Sequence, residues 1–324
     1  MTRNLMARLM MGVLLVALTG GATQAQTTGA VATSTAQVAA DPSGGQGGPE
    51  ALLFDGKGSV WIANQFTNSI SQISTSNGAI VASYTVGKGP VSLASDGKSI
   101  WVANLHDSTV VKLNPANGNI SATFNIAGGP GGLAWDGANM WIACRENDTV
   151  VKLSSSGVVV ATVAVGRRPV GIAYDSASAS VWVANNQSDT VTKLAASNGA
   201  SLGTFLAGRG PFGVLAAFGS VWVSNFFDGT LTKLSTDGLT STTIAVGDGA
   251  AGMTADTANV WVANNGVNTV TRLNAATGVA SKFATGPGPF GVVLDATGNF
   301  WTSNFSSGTV STSKSSTTLA APIL

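Results

Sequence analysis

Few side chains in this 324-residue sequence could do acid–base or nucleophilic chemistry, because it contains one cysteine and one histidine. Cys144 precedes Arg145, whose charge could lower the pKa of a thiol, but no base stands beside it in the sequence. His106 stands next to Asp107 and would need further ligands to hold a metal ion. We interpret Cys144 as a small buried thiol and predict no catalytic residue, no metal and no cofactor. A nucleophilic Cys144 and a metal-binding or basic His106 remain the alternatives.

Other chemical signatures are absent from the sequence. It has no phosphate-binding glycine loop, serine nucleophile elbow or zinc-binding spacing. The Asp-Gly turns at Asp55, Asp96 and Asp136 lack the alternating acidic ligands of a calcium loop. Charged residues make up 10% of the chain and the formal net charge is +1. Without a basic excess, we predict no nucleic-acid partner.

The elements that must position these residues are copies of one repeat. A tryptophan recurs every 39 to 41 residues, at Trp61, Trp101, Trp141, Trp182, Trp222, Trp261 and Trp301. It lies in a run that is apolar on both faces, which is typical of a strand covered on both sides. In the second repeat we predict strands at Val91–Ala94, Ile100–Ala103, Thr109–Leu113 and Ile120–Ile126, separated by Gly- and Asn-containing turns.

Four antiparallel strands in each of seven repeats predict an all-β, seven-bladed β-propeller. The repeats span about 49–89, 90–129, 130–168, 169–210, 211–250, 251–288 and 289–324. An open solenoid is the competing architecture. However, the seventh repeat ends before its fourth strand is complete, and Gly29–Val38 resembles a fourth strand without its first three. We therefore predict that this segment closes the ring, so that 26–324 is one domain without exposed sheet edges.

The first 25 residues have the pattern of a secretory signal peptide. Arg3 and Arg8 precede an apolar core at 9–18, and small residues lead to Ala25. This core is shorter than the roughly 20 residues that cross a bilayer. We expect cleavage after Ala25 and a secreted, periplasmic or cell-surface monomer without membrane insertion.

The tetrapeptide Trp101-Val102-Ala103-Asn104, repeated at Trp261–Asn264, resembles the YVTN-type propeller repeats of bacterial and archaeal surface proteins. Val165-Gly166 and Val246-Gly247 at the blade ends fit the same pattern. The sequence is also similar to NHL-repeat proteins and, distantly, to the streptogramin (virginiamycin B) lyases, which are seven-bladed metal-assisted enzymes. All three resemblances imply a propeller and leave the function open.

The lyase resemblance would imply catalytic histidines in Pro-His-Gly versions of the repeat and metal-binding glutamates after the tryptophans. This chain has Pro169-Val170-Gly171, Pro211-Phe212-Gly213 and Pro289-Phe290-Gly291 instead, with Asn or Cys in place of the glutamate. We therefore do not expect the lyase chemistry to carry over. A lyase-like or lactonase-like enzyme that uses other residues, with a divalent metal on the propeller face, remains the alternative function.

We call the loops that follow the second and fourth strands of each blade the loop face, because both emerge on one side of a propeller, where ligands usually bind. Blades two to four contribute charged residues to it, and blades five to seven contribute phenylalanines. The charged set is His106, Asp107, Arg145, Glu146, Arg167, Arg168 and Arg209, with Lys88 adjacent. The aromatic set is Phe212, Phe226, Phe227, Phe290 and Phe305, with Phe66 next round the ring. We hypothesise an anion-attracting patch and an aromatic shelf that bind a protein, peptide or glycan without catalysis.

The simpler interpretation is that Phe212 and Phe290 plug the channel while the arginines are solvated or pair with Glu146 and Asp248. A purely structural surface protein is a third possibility. The asparagine that follows each tryptophan by three residues, replaced once by Cys144, is predicted to bond backbone groups across a turn. Alternatively, the amides of these asparagines could form a ring that lines the channel. The asparagines are Asn64, Asn104, Asn185, Asn225, Asn264 and Asn304.

Overall fold

A computed structural model describes residues 34–37 and 48–314, and their strands form seven four-stranded antiparallel sheets. The innermost strands are β2 (Pro49–Phe54), β6 (Pro90–Ser95), β10 (Pro130–Trp135), β14 (Pro169–Asp175), β18 (Pro211–Ala217), β22 (Ala250–Ala255) and β26 (Pro289–Leu294). The second strands are β3 (Ser59–Asn64), β7 (Ile100–Asn104), β11 (Asn139–Cys144), β15 (Ser180–Asn185), β19 (Ser220–Asn225), β23 (Asn259–Asn264) and β27 (Phe300–Asn304). The third strands are β4 (Ser69–Ser74), β8 (Thr109–Leu113), β12 (Thr149–Ser154), β16 (Thr190–Ala195), β20 (Thr230–Ser235), β24 (Thr269–Asn274) and β28 (Thr309–Thr312). The outer strands are β5 (Ile80–Thr85), β9 (Ile120–Asn125), β13 (Val159–Ala164), β17 (Ser201–Leu206), β21 (Ser241–Ala245), β25 (Ala280–Ala284) and β1 (Ser34–Gln37).

The seven sheets form a closed ring, which confirms the predicted propeller. Each innermost strand contacts its neighbour, and β2 of the first blade contacts β26 of the seventh. Strand β1 pairs with β28 in antiparallel register, so the N-terminal segment completes the last blade as predicted. The rest of the predicted strand Gly29–Val38 and the predicted signal peptide lie outside the described residues. In the part of the chain that the structure describes, no helix is long and apolar enough to cross a bilayer.

Side-chain bonds reinforce this closure. The Ser303 hydroxyl in blade seven donates to the Glu50 carbonyl oxygen in blade one at 2.7 Å. Lys314 Nζ reaches the Thr75 and Ser76 carbonyl oxygens at 2.5 Å. Lys152 bridges blades three and four in the same way, with Nζ 2.7 Å from the Ala196 carbonyl oxygen. Such lysine bridges tie adjacent blades together around the ring.

The core consists of layers between adjacent blades. Trp101 of β7, for example, packs with Leu133, Met140 and Ile142 of the third blade, and all four are buried. Every residue of β7 is buried, because a neighbouring sheet covers each of its faces. This burial confirms the interpretation of the tryptophan runs as buried second strands.

An aspartate in the turn before the second strand holds five of the seven tryptophans in place. The Trp101 indole donates to Asp96 Oδ2 at 2.9 Å, and Lys112 Nζ lies 4.7 Å from the ring centroid. Burial tends to raise the pKa of Asp96, but bonds from the Trp101 indole, the Ser99 and Lys98 amides and Lys112 outweigh it and lower the pKa to about 2. The same indole–carboxylate bond joins Trp61 to Asp55, Trp141 to Asp136, Trp261 to Asp256 and Trp301 to Asp295.

The asparagine series is structural, but its main partners differ from the prediction. Asn185 is fully buried, and its Nδ2 donates to the Thr190 and Thr192 hydroxyls at 3.1 and 2.9 Å. The other five asparagines make at least one such bond to a Ser or Thr of the third strand. A backbone bond of the predicted kind occurs at Asn225, whose Oδ1 accepts from the Gly208 amide at 3.0 Å. These amides lie inside the blades and do not line the channel.

The third blade differs from the others at Cys144 and shares a second difference with the second blade, where Val111 also stands in place of a hydroxyl residue. Val151 occupies the place of Thr192, so the third blade replaces an amide–hydroxyl pair with a thiol–isopropyl pair. Both side chains belong to one hydrophobic cluster. Asn104 of the second blade keeps its amide beside Val111, with the Thr109 hydroxyl as its partner, so Val151 does not by itself account for Cys144.

Candidate functional site

The two loop types of the loop face are held together by backbone bonds. The Leu105 amide donates to the Gly89 carbonyl oxygen at 2.9 Å, and the Arg145 amide donates to the Gly129 carbonyl oxygen at 3.0 Å. Each loop after a second strand is thereby fixed to the loop that enters the same blade. The predicted loop face is therefore a continuous surface.

A central cavity of about 180 Å³ lies among the innermost strands. Glu50 and Arg145 line it together with Phe212 and Phe290, and the remaining lining is mostly glycine and aliphatic side chains. The cavity therefore combines an ion pair with aromatic rings.

Glu50 and Arg145 form an ion pair across the cavity, from blades one and three. Arg145 Nη2 lies 3.6 Å from Glu50 Oε1, and the two side chains are 13% and 7% exposed. Gly131 makes room for the guanidinium, since a Cβ there would lie 2.5 Å from Arg145 Nε. That Nε is buried and has no hydrogen-bond partner among the described residues. Arg145 therefore meets Glu50 through one long contact and keeps one buried donor without a partner.

Burial dominates the titration of Glu50. It raises the pKa of this carboxyl to about 7, although the charge and the hydrogen bond of Arg145 act in the opposite direction. Glu50 is absent from the predicted site because it lies in a strand rather than in a loop. A signal was nevertheless present, since the residue after the first-strand proline or its equivalent is uncharged in all six other repeats. These are Val91, Gly131, Val170, Phe212, Ala251 and Phe290.

Arg168 occupies a strained position on the loop face. Its φ is +51°, in the left-handed region that a side chain disfavours. The other six blades have glycine at this place: Gly48, Gly89, Gly129, Gly210, Gly249 and Gly288. Its backbone amide donates to Asp148 Oδ1 at 2.7 Å. Burial and, secondly, the nearby charge of Arg145 lower the pKa of Arg168. Arg168 is therefore a half-buried cation close to a second cation.

Two other predicted arginines are more exposed and do not pair as the simpler interpretation suggested. Arg209 Nε lies 2.6 Å from Asp228 Oδ1, and its side chain is 71% exposed. Arg167 Nη2 donates to the Gln187 carbonyl oxygen at 3.1 Å. With Arg168 and Phe227 they line a shallow groove between blades four and five. The ion-pair partners of Arg145 and Arg209 are thus Glu50 and Asp228, not Glu146 and Asp248.

The remaining charged residues of the predicted set lie on exposed loops. Lys88, His106, Asp107 and Glu146 are exposed, and none of them lines the cavity or the groove. Asp107 Oδ2 accepts the Lys88 amide at 2.6 Å, which fixes the loop. These four residues therefore lie outside the lining of the cavity and of the groove.

The aromatic set forms one continuous row of ring contacts across the loop face. Successive centroid distances are 5.4 Å for Phe66–Phe305, 5.7 Å for Phe305–Phe290, 5.0 Å for Phe290–Phe212, 6.1 Å for Phe212–Phe226 and 5.5 Å for Phe226–Phe227. We call these six residues the phenylalanine row. Its ends are 50% and 59% exposed, and its centre lines the cavity. Phe212 and Phe290 therefore both narrow the channel and belong to the shelf.

Little on this face resembles a nucleophilic or metal centre. Cys144 is fully buried, and burial raises the pKa of its thiol to about 11 despite a hydrogen bond with Thr149. Within residues 34–37 and 48–314, no group of three or more His, Cys, Asp or Glu side chains could hold a metal ion. Arg145 supplies a positive charge to the cavity and Arg168 supplies one to the groove, and Glu50 can take up or release a proton.

Fold and site together define a seven-bladed β-propeller whose loop face is charged on one side and aromatic on the other. No protein-family model and no curated protein matches this chain. Among solved structures it is similar to a streptogramin B lyase, with a TM-score of 0.73 and 18% identity over 85% of this chain and 95% of that one. It is also similar to a catalytically inactive virginiamycin B lyase from Staphylococcus aureus with quinupristin, with a TM-score of 0.72 and 19% identity over 82% and 94%.

A third similar structure is the hydrazine synthase of Kuenenia stuttgartiensis, with a TM-score of 0.75 and 15% identity over 83% of this chain and 96% of that chain. Proteins with different chemistry thus share this fold, so the likeness bears on architecture and not on activity.

Proposed function

We propose that this protein is an exported, non-enzymatic binding module that holds a peptide or a protein segment on its loop face. The observation that carries the proposal is the phenylalanine row, which runs from Phe66 through the central cavity to Phe227. Aromatic rings supply rigid contact area and are enriched at protein interfaces. Phe212 and Phe290 are edge-to-face at 79°, so the row is ordered before a ligand arrives.

The chemistry of the row favours apolar side chains over sugars. Phenylalanine has no hydrogen-bonding group, whereas sugar hydroxyls need polar partners beside a stacking surface. Two asparagines near the row already donate hydrogen bonds within the protein. Asn186 donates to the Pro211 carbonyl oxygen, and Asn265 donates to the Pro289 carbonyl oxygen. Of the ligand classes that the sequence left open, we therefore favour a peptide or protein segment.

A displayed peptide library tests this function. Selected peptides should bind the wild type and lose at least tenfold in affinity to a Phe66→Ala/Phe227→Ala double variant, because truncating aromatic anchors at both ends of the row should together cost more than 1 kcal/mol. Leu239→Ala is the matched control, since this leucine is 79% exposed in a turn between third and outer strands, away from the loop face. Equal binding by the double variant and the control would contradict the proposal.

Export rests on the charged and apolar pattern of the first 25 residues. Mass spectrometry of the protein from the culture medium and cell envelope should find an N-terminus at Gln26. An intact Met1 on protein confined to the cytoplasm would contradict export and leave the binding site to be tested separately.

One observation favours an enzymatic alternative. Glu50 lies in the cavity with a pKa near 7, which suits a general acid or base. A lyase or lactonase activity that depends on it should show a pH optimum near neutrality and disappear in Glu50→Gln. Turnover that survives this substitution would remove Glu50 from the reaction.

A further inference from the structure

We propose that the groove between blades four and five binds the side-chain carboxylate of an aspartate or glutamate in a peptide, through Arg167 and Arg168. This inference rests on the proposed function, because it names the acidic group that the binding module recognises beside the phenylalanine row. Arg209 and Phe227 also line the groove. Its volume of about 520 Å³ lies within the range of roughly 300 to 1,000 Å³ that is usual for ligand pockets.

Arg167 lacks the carboxylate that accompanies the equivalent arginine of the next blade. Arg209 has the same place in blade five, where Asp228 accepts its backbone amide at 2.7 Å and pairs with its guanidinium at 2.6 Å. In blade four Ser188 takes the place of Asp228, and its hydroxyl accepts the Arg167 amide at 2.8 Å. The two loops are fixed alike, but only blade five supplies a counter-charge. Among the described residues, the Arg167 guanidinium has the neutral Gln187 carbonyl oxygen as its partner and forms no ion pair.

Arg168 adds a second cation at a place where the other blades have none. Its φ of +51° suits glycine, which the other six blades have there. Within the part of the chain that the structure describes, its guanidinium makes no hydrogen bond or ion pair, and only its backbone amide bonds, to Asp148. The side chain is half-buried and lines the groove, so its charge loses hydration without gaining a partner. A bound carboxylate would supply the missing partner.

The charges around the groove match one carboxylate. Three arginines line it, whereas Asp189 in the lining and Asp228 beside Arg209 carry two negative charges. Asp189 already accepts the Gly210 amide at 2.8 Å. One positive charge therefore remains in excess, and a carboxylate neutralises it, whereas a doubly charged phosphate would leave a negative excess. Carboxylate also suits the paired N–H donors of guanidinium.

Phe227 connects the groove to the phenylalanine row. It is the last ring of the row, is 59% exposed, and also lines the groove. Gly210 makes room for this ring, since a Cβ there would lie 2.3 Å from Phe227 Cδ2. A peptide that rests an apolar side chain on Phe227 therefore brings a neighbouring acidic side chain to Arg167 and Arg168. We expect the groove to select an acidic residue beside an apolar one.

Two small probes test the groove on the whole protein. N-acetyl-phenylalanyl-glutamate with an amidated C-terminus carries one carboxylate, and its glutamine analogue is the uncharged match. NMR titration in about 20 mM salt should give at least about fivefold tighter binding of the glutamate probe, because charge-assisted hydrogen bonds are stronger than neutral ones. This preference should shrink in about 0.5 M salt, since the charges of an open groove are screened.

Variants of blade four locate the site. Arg168→Gly introduces the residue of the other six blades, so it should keep the fold and lose the preference for the glutamate probe. Ser188→Asp gives Arg167 the counter-charge found in blade five and should also reduce the preference. Two matched controls make the same charge changes outside the groove. Lys88→Gln removes a cation at the place of Arg167 in blade two, Val267→Asp adds an acid at the place of Ser188 in blade six, and both should keep the preference.

Several results would overturn the inference. Equal affinity for the two probes, no binding of either, or a preference that both blade-four variants leave unaltered would each do so. An equal loss of preference in the two controls would also do so, because it would indicate attraction to the whole face. Tighter binding of inorganic phosphate or glucuronate than of the glutamate probe would overturn the assignment to an acidic peptide side chain.

A displayed library separates this failure from a failure of the proposed function. Selected peptides should be enriched in Asp or Glu next to an apolar residue. Peptides that need Phe66 and Phe227 but show no such enrichment would overturn the acidic site and leave the proposed function standing. The absence of any binding peptide would remove both.

Discussion

Replacing Glu50 with glutamine should change the free energy of unfolding relative to the wild type, and this difference should be more favourable to the variant in alkaline than in acid solution. A carboxyl with a higher pKa in the folded than in the unfolded state contributes stability that is full below its unfolded pKa and is lost as the pH rises through the folded pKa. For Glu50 this window runs from 4.5 to about 7. At 1.36 kcal/mol per pKa unit, the loss is on the order of 3 kcal/mol. The side chain is only 7% exposed, so solvent screening reduces this value little.

Glutamine has nearly the volume of glutamate and no charge to desolvate, so the variant should lack this loss. The backbone bond from Ser303 to the Glu50 carbonyl oxygen does not involve the side chain and should persist. The free energy of unfolding of the variant minus that of the wild type should therefore rise by about 3 kcal/mol between pH 4 and pH 8.5.

Urea unfolding followed by tryptophan fluorescence measures this difference, because tryptophans of the second strands are buried. Groups that titrate identically in both proteins cancel in the subtraction. Glu146→Gln is the control, since Glu146 is exposed and does not line the cavity. A difference that is constant with pH, or that falls as the pH rises, would refute the reasoning, because it would mean that Arg145 outweighs the cost of burial.

Four further outcomes are expected. Arg168→Gly should raise the free energy of unfolding by about 1 kcal/mol, because the strain of a side chain in the left-handed region is relieved; unchanged or lower stability in urea would show that Arg168 is not strained. Asp96→Asn should be less stable than wild type at pH 7, and thermal melts should show the deficit shrinking as the pH falls below 3.8 towards about 2, since the contribution of a carboxylate with a lowered pKa is lost on protonation. Cys144→Asn should cost about 1 to 3 kcal/mol, and adding Val151→Thr should recover part of it by supplying a second hydroxyl partner, whereas a purely additive double variant would contradict coupling between the two positions. Deleting 26–40 should lower the melting temperature and promote aggregation by exposing the edge of β28, and an unchanged melting curve would contradict closure by β1.

The architecture could be predicted from the sequence because its signals are local and repeated. The apolar run around Trp101 marks a strand covered on both faces, and Asp96-Gly97 marks the turn before it. Repetition of these signals at about 40 residues specifies a blade, and the incomplete seventh repeat specifies how the ring closes. The predicted strand bounds agree closely with the observed ones. Thr109–Leu113, for example, was predicted as a strand and is observed as one.

The site could be predicted only in part. The phenylalanine row was foreseen because blade geometry places its loops on one face. The partners of the arginines and asparagines were not, because each depends on which side chain of another strand or blade comes within bonding distance. The position of Glu50 was missed because its one signal, a charge where the other six repeats have an uncharged residue, does not show that the place borders a cavity.

By itself the sequence determined seven blades, their strand order and the loop face, since these follow from hydrophobic period and turn chemistry within each 40-residue repeat. Only the tertiary structure decided that Glu50 meets Arg145 from blades one and three, that burial keeps this pair from behaving as a surface ion pair, and that six phenylalanines from three blades touch in a row. The physical reason is that strands and turns depend on near neighbours in the chain, whereas an ion pair across a cavity depends on the curvature that closes the ring.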